Sequence, residues 1–251
     1  LHAHPAALVA YSLERRLPEM DLMPGVSALC GKIAIAKYAL PGSQKLGGYI
    51  SSEFTKGCDT VLLENHGVVL GADSLERAYM MFEALDFAAR TGVAASMLGK
   101  EGRVLTHEEL AAKIDHAYRK SYAAELEPAD YSELRADVAD KCRRCYKNKL
   151  FTAANGMYAA RAGKGFLITP DDEDRGLLTP EALVYIEGDK CEKGKKPSVW
   201  ALTVSRDMQS LRCQKPLHYG LCRNRRRVQF THDTRGLYLP AQHAALSLRN
   251  A

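Results

Sequence analysis

The chain has 251 residues, 46% hydrophobic and 26% charged, with 35 Lys+Arg against 30 Asp+Glu and a formal net charge of +5. That length supports one large domain or two small ones with real cores, and the composition excludes collagen-like, disordered and disulfide-scaffold classes. No run approaches the roughly 18 uninterrupted apolar residues of a membrane-spanning helix, and no charged segment followed by an apolar one opens the chain as a secretory signal would.

The charge is unevenly placed. Residues 201–251 hold nine basic residues against two acidic ones, a net of +7, which leaves −2 for the first 200. Arg223 and the run Arg225-Arg226-Arg227 have the charge of a phosphate-binding arm. The stretch lacks helical or alternating periodicity and the aromatic spacing of a stacking platform, so nucleic acid is not expected as a partner. Seven cysteines, an odd number without a framework, suit reduced thiols and a cytoplasmic setting. Cys142 and Cys145 have the spacing of half a zinc site, but no second pair follows at a suitable distance. They read as neighbouring thiols on a helix.

In chain order, Ala7 to Arg15 reads as a helix, and Ile33 to Tyr38 alternates like a strand before the turn at Pro41-Gly42. A short helix is expected from Tyr49 to Lys56. Strands follow at 60–63 and 68–70, flanking Asn65-His66-Gly67. Ser74 then caps a long amphipathic helix whose apolar residues Ala78, Met81, Phe82, Leu85, Ala88 and Ala89 recur at three and four. A polar, helix-prone segment leads to a helix between Tyr131 and Leu150. Strands are then expected at 166–169 and 183–186, with a Gly- and Lys-rich turn from Glu187 to Pro197. Coherent patterning stops near Ser198. Strands mixed with helices and tight turns point to a layered α/β architecture.

The chemistry starts at His2-Ala3-His4-Pro5. Imidazoles at i and i+2 share one face of an extended strand and can reach one metal. A catalytic zinc needs a third protein ligand and an open position, and His66, in a turn between apolar strands, is a candidate. An HxH pair is common on surfaces, and a lone turn histidine is more often packed than ligating.

These residues, with Leu62-Leu63-Glu64-Asn65-His66-Gly67-Val68-Val69-Leu70-Gly71, Leu75 to Tyr79 and Tyr38 to Ser43, resemble the C-terminal part of a class II aldolase/adducin domain over roughly residues 1–100. The resemblance implies a three-layer α/β/α fold with a mixed, mostly antiparallel central sheet. It also implies that His2, His4 and His66 bind a divalent metal, usually zinc. A second stretch, Lys149 to Arg161 with Gly165 to Pro170, Leu178 to Glu181 and Lys196-Pro197-Ser198, resembles the N-terminal part of the same domain. There the resemblance implies that Thr152, Gly156 and Ser198 bind a substrate phosphate. Met157 stands where the family has Asn, and Val199 where it has Ser-Glu.

The order of these parts fits a tandem member. Residues 1–105 would be the end of one domain, 106–140 a helical connector, 141–198 the start of a second, and 199–251 an unmatched basic tail. Circular permutation is the rival account. By resemblance the activity is a zinc-dependent lyase cleaving a sugar phosphate by a retro-aldol step through a stabilised enediolate, in a cytoplasmic homo-oligomer of carbohydrate metabolism. A sugar-phosphate 4-epimerase and a non-catalytic adducin-like interaction module are the alternatives. No catalytic residue is assigned: the acid/base Glu of the family would lie upstream of Leu1, and weak or no activity is expected of the chain as it stands. A shift of reading frame after Ser198 would account for the tail. The coding DNA read one base later is then expected to continue the family pattern from about Tyr219 to Tyr238; stops or unrelated sequence there would refute the shift.

Overall fold

The computed structural model describes residues 1–23, 25–99, 102–106, 108–110, 122, 124–128, 130–210 and 218–221. The chain divides into two compact units, Leu1–Asp115 and His116–Ala251. Both are mixed α/β, and each contains its own sheet.

The first unit runs β1 (His2–Ala3), α1 (Ala6–Leu13), a 3-10 turn (Met20–Leu22), α2 (Val26–Cys30), β2 (Ile33–Ala36), α3 (Gln44–Thr55), β3 (Thr60–Leu63), β4 (Gly67–Leu70) and α4 (Leu75–Met97). Its sheet has the order β1-β4-β3-β2, with only the β2–β3 pair parallel. Strand residues sort by parity. Leu62, Val68 and Leu70 pack with Leu8, Val26, Met81, Leu85 and Ala89, whereas Val61 and Leu63 pack with Ala36 and Leu46. Helices therefore cover both faces, and the strands read as continuous apolar runs because neither face meets water.

Local chemistry sets the helix ends. Ser74 accepts a hydrogen bond from Arg77 N–H at 3.1 Å and starts α4, as its sequence position predicts. Ser43 does the same for α3 through Leu46 N–H, so that helix begins five residues before the expected Tyr49. The Gly47-Gly48 pair obscures the start in the sequence, since glycine weakens a helix interior. The end of α1 is a Schellman motif: Arg16 N–H donates to Tyr11 O and Arg15 N–H to Ser12 O. Arg15 takes the left-handed seat at φ 55°, where glycine is usual, at a cost of about 1 kcal/mol. Beyond α4, Thr106 and Glu109 exchange side chain-to-backbone hydrogen bonds in a capping box.

The second unit contains β5 (Ala124–Leu126), α5 (Ser132–Lys147), β6 (Met157–Ala162), β7 (Gly165–Ile168), β8 (Val184–Glu187), β9 (Lys190–Glu192), α6 (Ala201–Ser210) and β10 (His218–Leu221). Strand order is β10-β6-β7-β8-β9-β5, antiparallel except for β9–β5. Parity again separates two faces. Met157, Ala159, Phe166, Ile168, Val184 and Ile186 pack with Ala201 and Val204 of α6. Tyr158 and Ala160 pack with Val138, Ala139 and Cys142 of α5, and Leu167 and Tyr185 lie against Tyr131 and Leu134. The expected Gly- and Lys-rich turn contains a strand, because Gly188-Asp189 reverses the chain tightly enough for β9 to pair with β8.

Helix α6 lies where the sequence shows no clear period. Its buried pair Ala201 and Val204, three residues apart, is too short a signal to stand out. The frame shift proposed for residues 199–251 falls largely outside the described residues. No described helix is long and apolar enough to cross a membrane.

Between α5 and the β8–β9 edge, the buried Arg135 donates to Leu183 O at 2.5 Å and to Glu192 Oε2 at 2.7 Å. Glu192 also accepts from Tyr185 N–H and pairs with Lys195. Burial pushes its carboxyl up, but Arg135, Lys195 and the Tyr185 N–H outweigh that and hold it below the ordinary range. Leu85, fully buried in the first unit, and Leu75, 83% exposed at the start of α4, give a paired test. Leu85→Ala is expected to destabilise by about 2–5 kcal/mol in urea unfolding, and Leu75→Ala by no more than about 0.5 kcal/mol.

Candidate metal centre

Three imidazoles converge at the β1 end of the first sheet. One ligand atom from each of His2, His4 and His66 lies within 4.8 Å of the others, and the ring centroids are 4.6, 5.0 and 4.9 Å apart. Two backbone features bring them together. The short β1 pairs antiparallel with β4, His2 opposite Val69 and Ala3 opposite Val68. The β3–β4 turn then carries His66, with Asn65 in the left-handed region at φ 57°, a conformation Asn tolerates, and His66 N–H closing onto Leu63 O.

Gly67 makes this approach possible. A Cβ there would lie 2.5 Å from Ala3 O and 2.8 Å from His4 Cδ2. The His4 ring thus occupies the space a side chain at 67 would need.

Each ring has a distinct environment. His2 Nδ1 lies 2.9 Å from Val68 O. A carbonyl only accepts, so Nδ1 carries the hydrogen and Nε2 is left with a lone pair. His66 Nδ1 is buried and has no hydrogen-bond partner. Burial, with His2 and His4 adding to it, lowers the His66 pKa and keeps the ring neutral, the form that ligates. An orphaned buried nitrogen among three neutral-capable imidazoles fits a divalent cation, and the donor type suits zinc. His2 and His4 are exposed, so the cluster opens to solvent on one side.

Residues 1–93 match the family described as the Class II Aldolase and Adducin N-terminal domain. That match falls within the first unit. Among solved structures, the chain is similar to an L-fuculose 1-phosphate aldolase at 29% identity, covering 44% of this chain and 51% of that one with a TM-score of 0.38. It is also similar to a sugar-phosphate aldolase from Thermotoga maritima at 28% identity, covering 40% and 45% with a TM-score of 0.35. An aldolase II superfamily protein from Pseudomonas syringae is 26% identical, covering 45% of each chain with a TM-score of 0.35. The chain spans about half the length of these structures. No curated protein matches it.

Beside the three histidines stands Glu64, to which the sequence assigns no role. Its Oε2 accepts from Tyr38 N–H at 3.0 Å, and its Oε1 lies 2.6 Å from Arg15 Nε. The Tyr38 N–H, with Arg15 and Lys37, holds the carboxyl below its ordinary range. The sequence signal was a charged residue closing the apolar strand Thr60–Leu63.

In the second unit, Thr152 and Gly156 share the loop that enters β6, and Ser198 precedes α6. Thr152 Oγ1 accepts from Asn155 N–H and its Nδ2 amide. Gly156 has φ 112°, and a Cβ there would meet the Phe151 ring at 2.2 Å. Arg175, 1% exposed, pins this loop: its Nε donates to Gly156 O at 2.8 Å and its backbone N–H to Ala153 O. Ser198 Oγ donates to Asp171 Oδ1 at 2.6 Å, and Val199 N–H donates to Asp171 Oδ2 at 2.8 Å. Both Asp171 and Arg175 lie in the charged run Asp171-Asp172-Glu173-Asp174-Arg175, to which the sequence assigns no role. Cys142 is buried and its thiol is pushed up to about 12 by burial, so it stays protonated and ligates poorly.

Gly67→Ala is expected to push β1 away from β4. Overpacking of this kind costs about 1–3 kcal/mol, and hydrogen exchange should report it as lost protection at Leu70 N–H, which bonds Leu1 O. Unchanged protection there would show that the glycine is not what admits His4.

Proposed function

We propose that His2, His4 and His66 hold a divalent metal, zinc by donor type, and that the protein is a metal-dependent class II aldolase-type lyase cleaving a carbon–carbon bond of a sugar phosphate. The observation that carries the reading is the convergence of three imidazoles within 4.8 Å in a segment of this family. The printed names of the similar structures, sugar-phosphate aldolases among them, support the substrate class.

When bound, the metal supplies Lewis-acid stabilisation of negative charge developing on substrate oxygens. The chain's own residues do the rest. His2 is oriented by Val68 O on Nδ1, which leaves Nε2 as the nitrogen able to ligate. His66 is kept neutral by burial. Glu64 is committed to Tyr38 and Arg15, and with its pKa lowered it is a poor proton acceptor; it is not assigned the acid/base role.

For the second unit, the same reading assigns Thr152, Gly156 and Ser198 to a phosphate. Such an anion must displace Asp171 from Ser198 Oγ and Val199 N–H, at the cost of two charge-assisted hydrogen bonds.

Zinc uptake by the purified chain, measured by competition with a chromophoric chelator, tests the metal. His66→Ala is expected to weaken binding by more than about tenfold, by analogy with the losses seen on disturbing metal sites. Zinc binding that is absent, or indifferent to His66→Ala, would overturn the ligand set. Aldehyde release from ketose phosphates by the zinc-loaded protein, lost in His66→Ala, tests the lyase reading separately.

A further inference from the structure

We propose that Glu64 is a positioning residue for the histidine cluster, its carboxylate tying the end of α1 and the exit of β2 to the turn that carries His66. The inference rests on the metal reading of His2, His4 and His66.

Both carboxylate oxygens bridge to other segments. Oε2 accepts from Tyr38 N–H, two residues past β2, and Oε1 meets Arg15, two residues past α1. The Glu64 backbone N–H donates to Ala36 O at 3.0 Å, so main chain and side chain together grip residues 36–38. Glu64 lies two residues before His66. On the other side, His4 leads through Pro5 directly into α1. The result is a closed circuit: His4, α1, Arg15, Glu64, His66. The helix is a stiff segment of that circuit, and Glu64 is the non-covalent link that completes it.

Arg15 supplies an independent observation. It occupies the left-handed C-terminal seat of the Schellman motif, where glycine would relieve the backbone. What an arginine gains there over glycine is the contact with Glu64. The Glu64 side chain is 12% exposed and Arg15 is 74% exposed, so the partly shielded carboxylate is the anchor and the guanidinium a solvated brace. Among the described residues the convergent ligand set contains the three histidines and not Glu64. Its effect on a metal is therefore exerted through the turn.

The test is a zinc titration of the full chain by chelator competition, with the Co2+ absorption spectrum as a geometric readout and apo-protein Tm as a control. Glu64→Ala is expected to weaken zinc binding about 10–100-fold, the usual range for residues that orient ligands, and to alter the Co2+ spectrum. Glu64→Gln keeps an acceptor for Tyr38 N–H and should recover part of the loss. Arg15→Gly suits the left-handed backbone, so apo Tm should hold while affinity falls by up to about fivefold, as befits an exposed ion pair. Should Glu64→Ala fail to fold, Glu64→Gln and Arg15→Gly carry the test. If the wild-type chain binds zinc and the variants bind it equally, with unchanged Co2+ spectra, the positioning role is wrong and the metal reading stands. A wild-type chain that binds no zinc overturns both.

Discussion

The pairing of a two-residue strand with β4 is the constraint from which the rest of the first unit's chemistry follows. Leu1 exchanges two backbone hydrogen bonds with Leu70, at 2.9 and 2.8 Å, and the next two residues continue the ladder opposite Val69 and Val68. Closing a loop of that length costs chain entropy that grows only slowly with length. The apolar faces of α1, β3, β4 and α4 offset it by burying Leu8, Leu62, Val68 and Leu85 together. Once the strand is seated, His2 and His4 stand beside the turn of His66.

The second unit has a different sheet and a different lock. Its sheet is longer, and its loops are held by buried charge: Arg175 against the carbonyl of Gly156, and Arg135 against Glu192. A buried guanidinium is tolerable only where its donors are taken up by carbonyls or carboxylates. Burial lowers the pKa of Arg175, and the carbonyls of Gly156 and Glu173 take up its donors. Anchors of this type fix loop geometry more sharply than apolar contacts, because each hydrogen bond has a direction.

Much of this was legible in the sequence. Strand β3 stands at residues 60–63 as expected, and α4 starts at its Ser74 cap with the expected apolar face inward. The three histidines were legible because HxH and a histidine between two apolar runs are local patterns, and the resemblance joined them. What stayed hidden depends on long-range partners. Nothing local says that Glu64 meets Arg15 and Tyr38, that Asp171 takes the hydroxyl of Ser198, or that Ala201 and Val204 extend the core past the last recognisable motif. Those are tertiary facts written in single residues, whereas periodicity needs several.

The parity of the strands has a consequence for how these sheets tolerate change. In a half-solvated sheet, sliding a strand by one residue exposes its apolar set and is punished by water. Here both faces of β6 are packed, so a slip would exchange Met157 and Ala159 for Tyr158 and Ala160 and would carry the half-buried Arg161 to the opposite face. Register is enforced by that arginine and by volume: the small Ala159 and Ala160 of β6 lie opposite the larger Ile168 and Leu167 of β7. Insertions or deletions of one residue in β6 or β7 therefore act as packing errors. Such a sheet is policed by shape complementarity and by one half-buried charge.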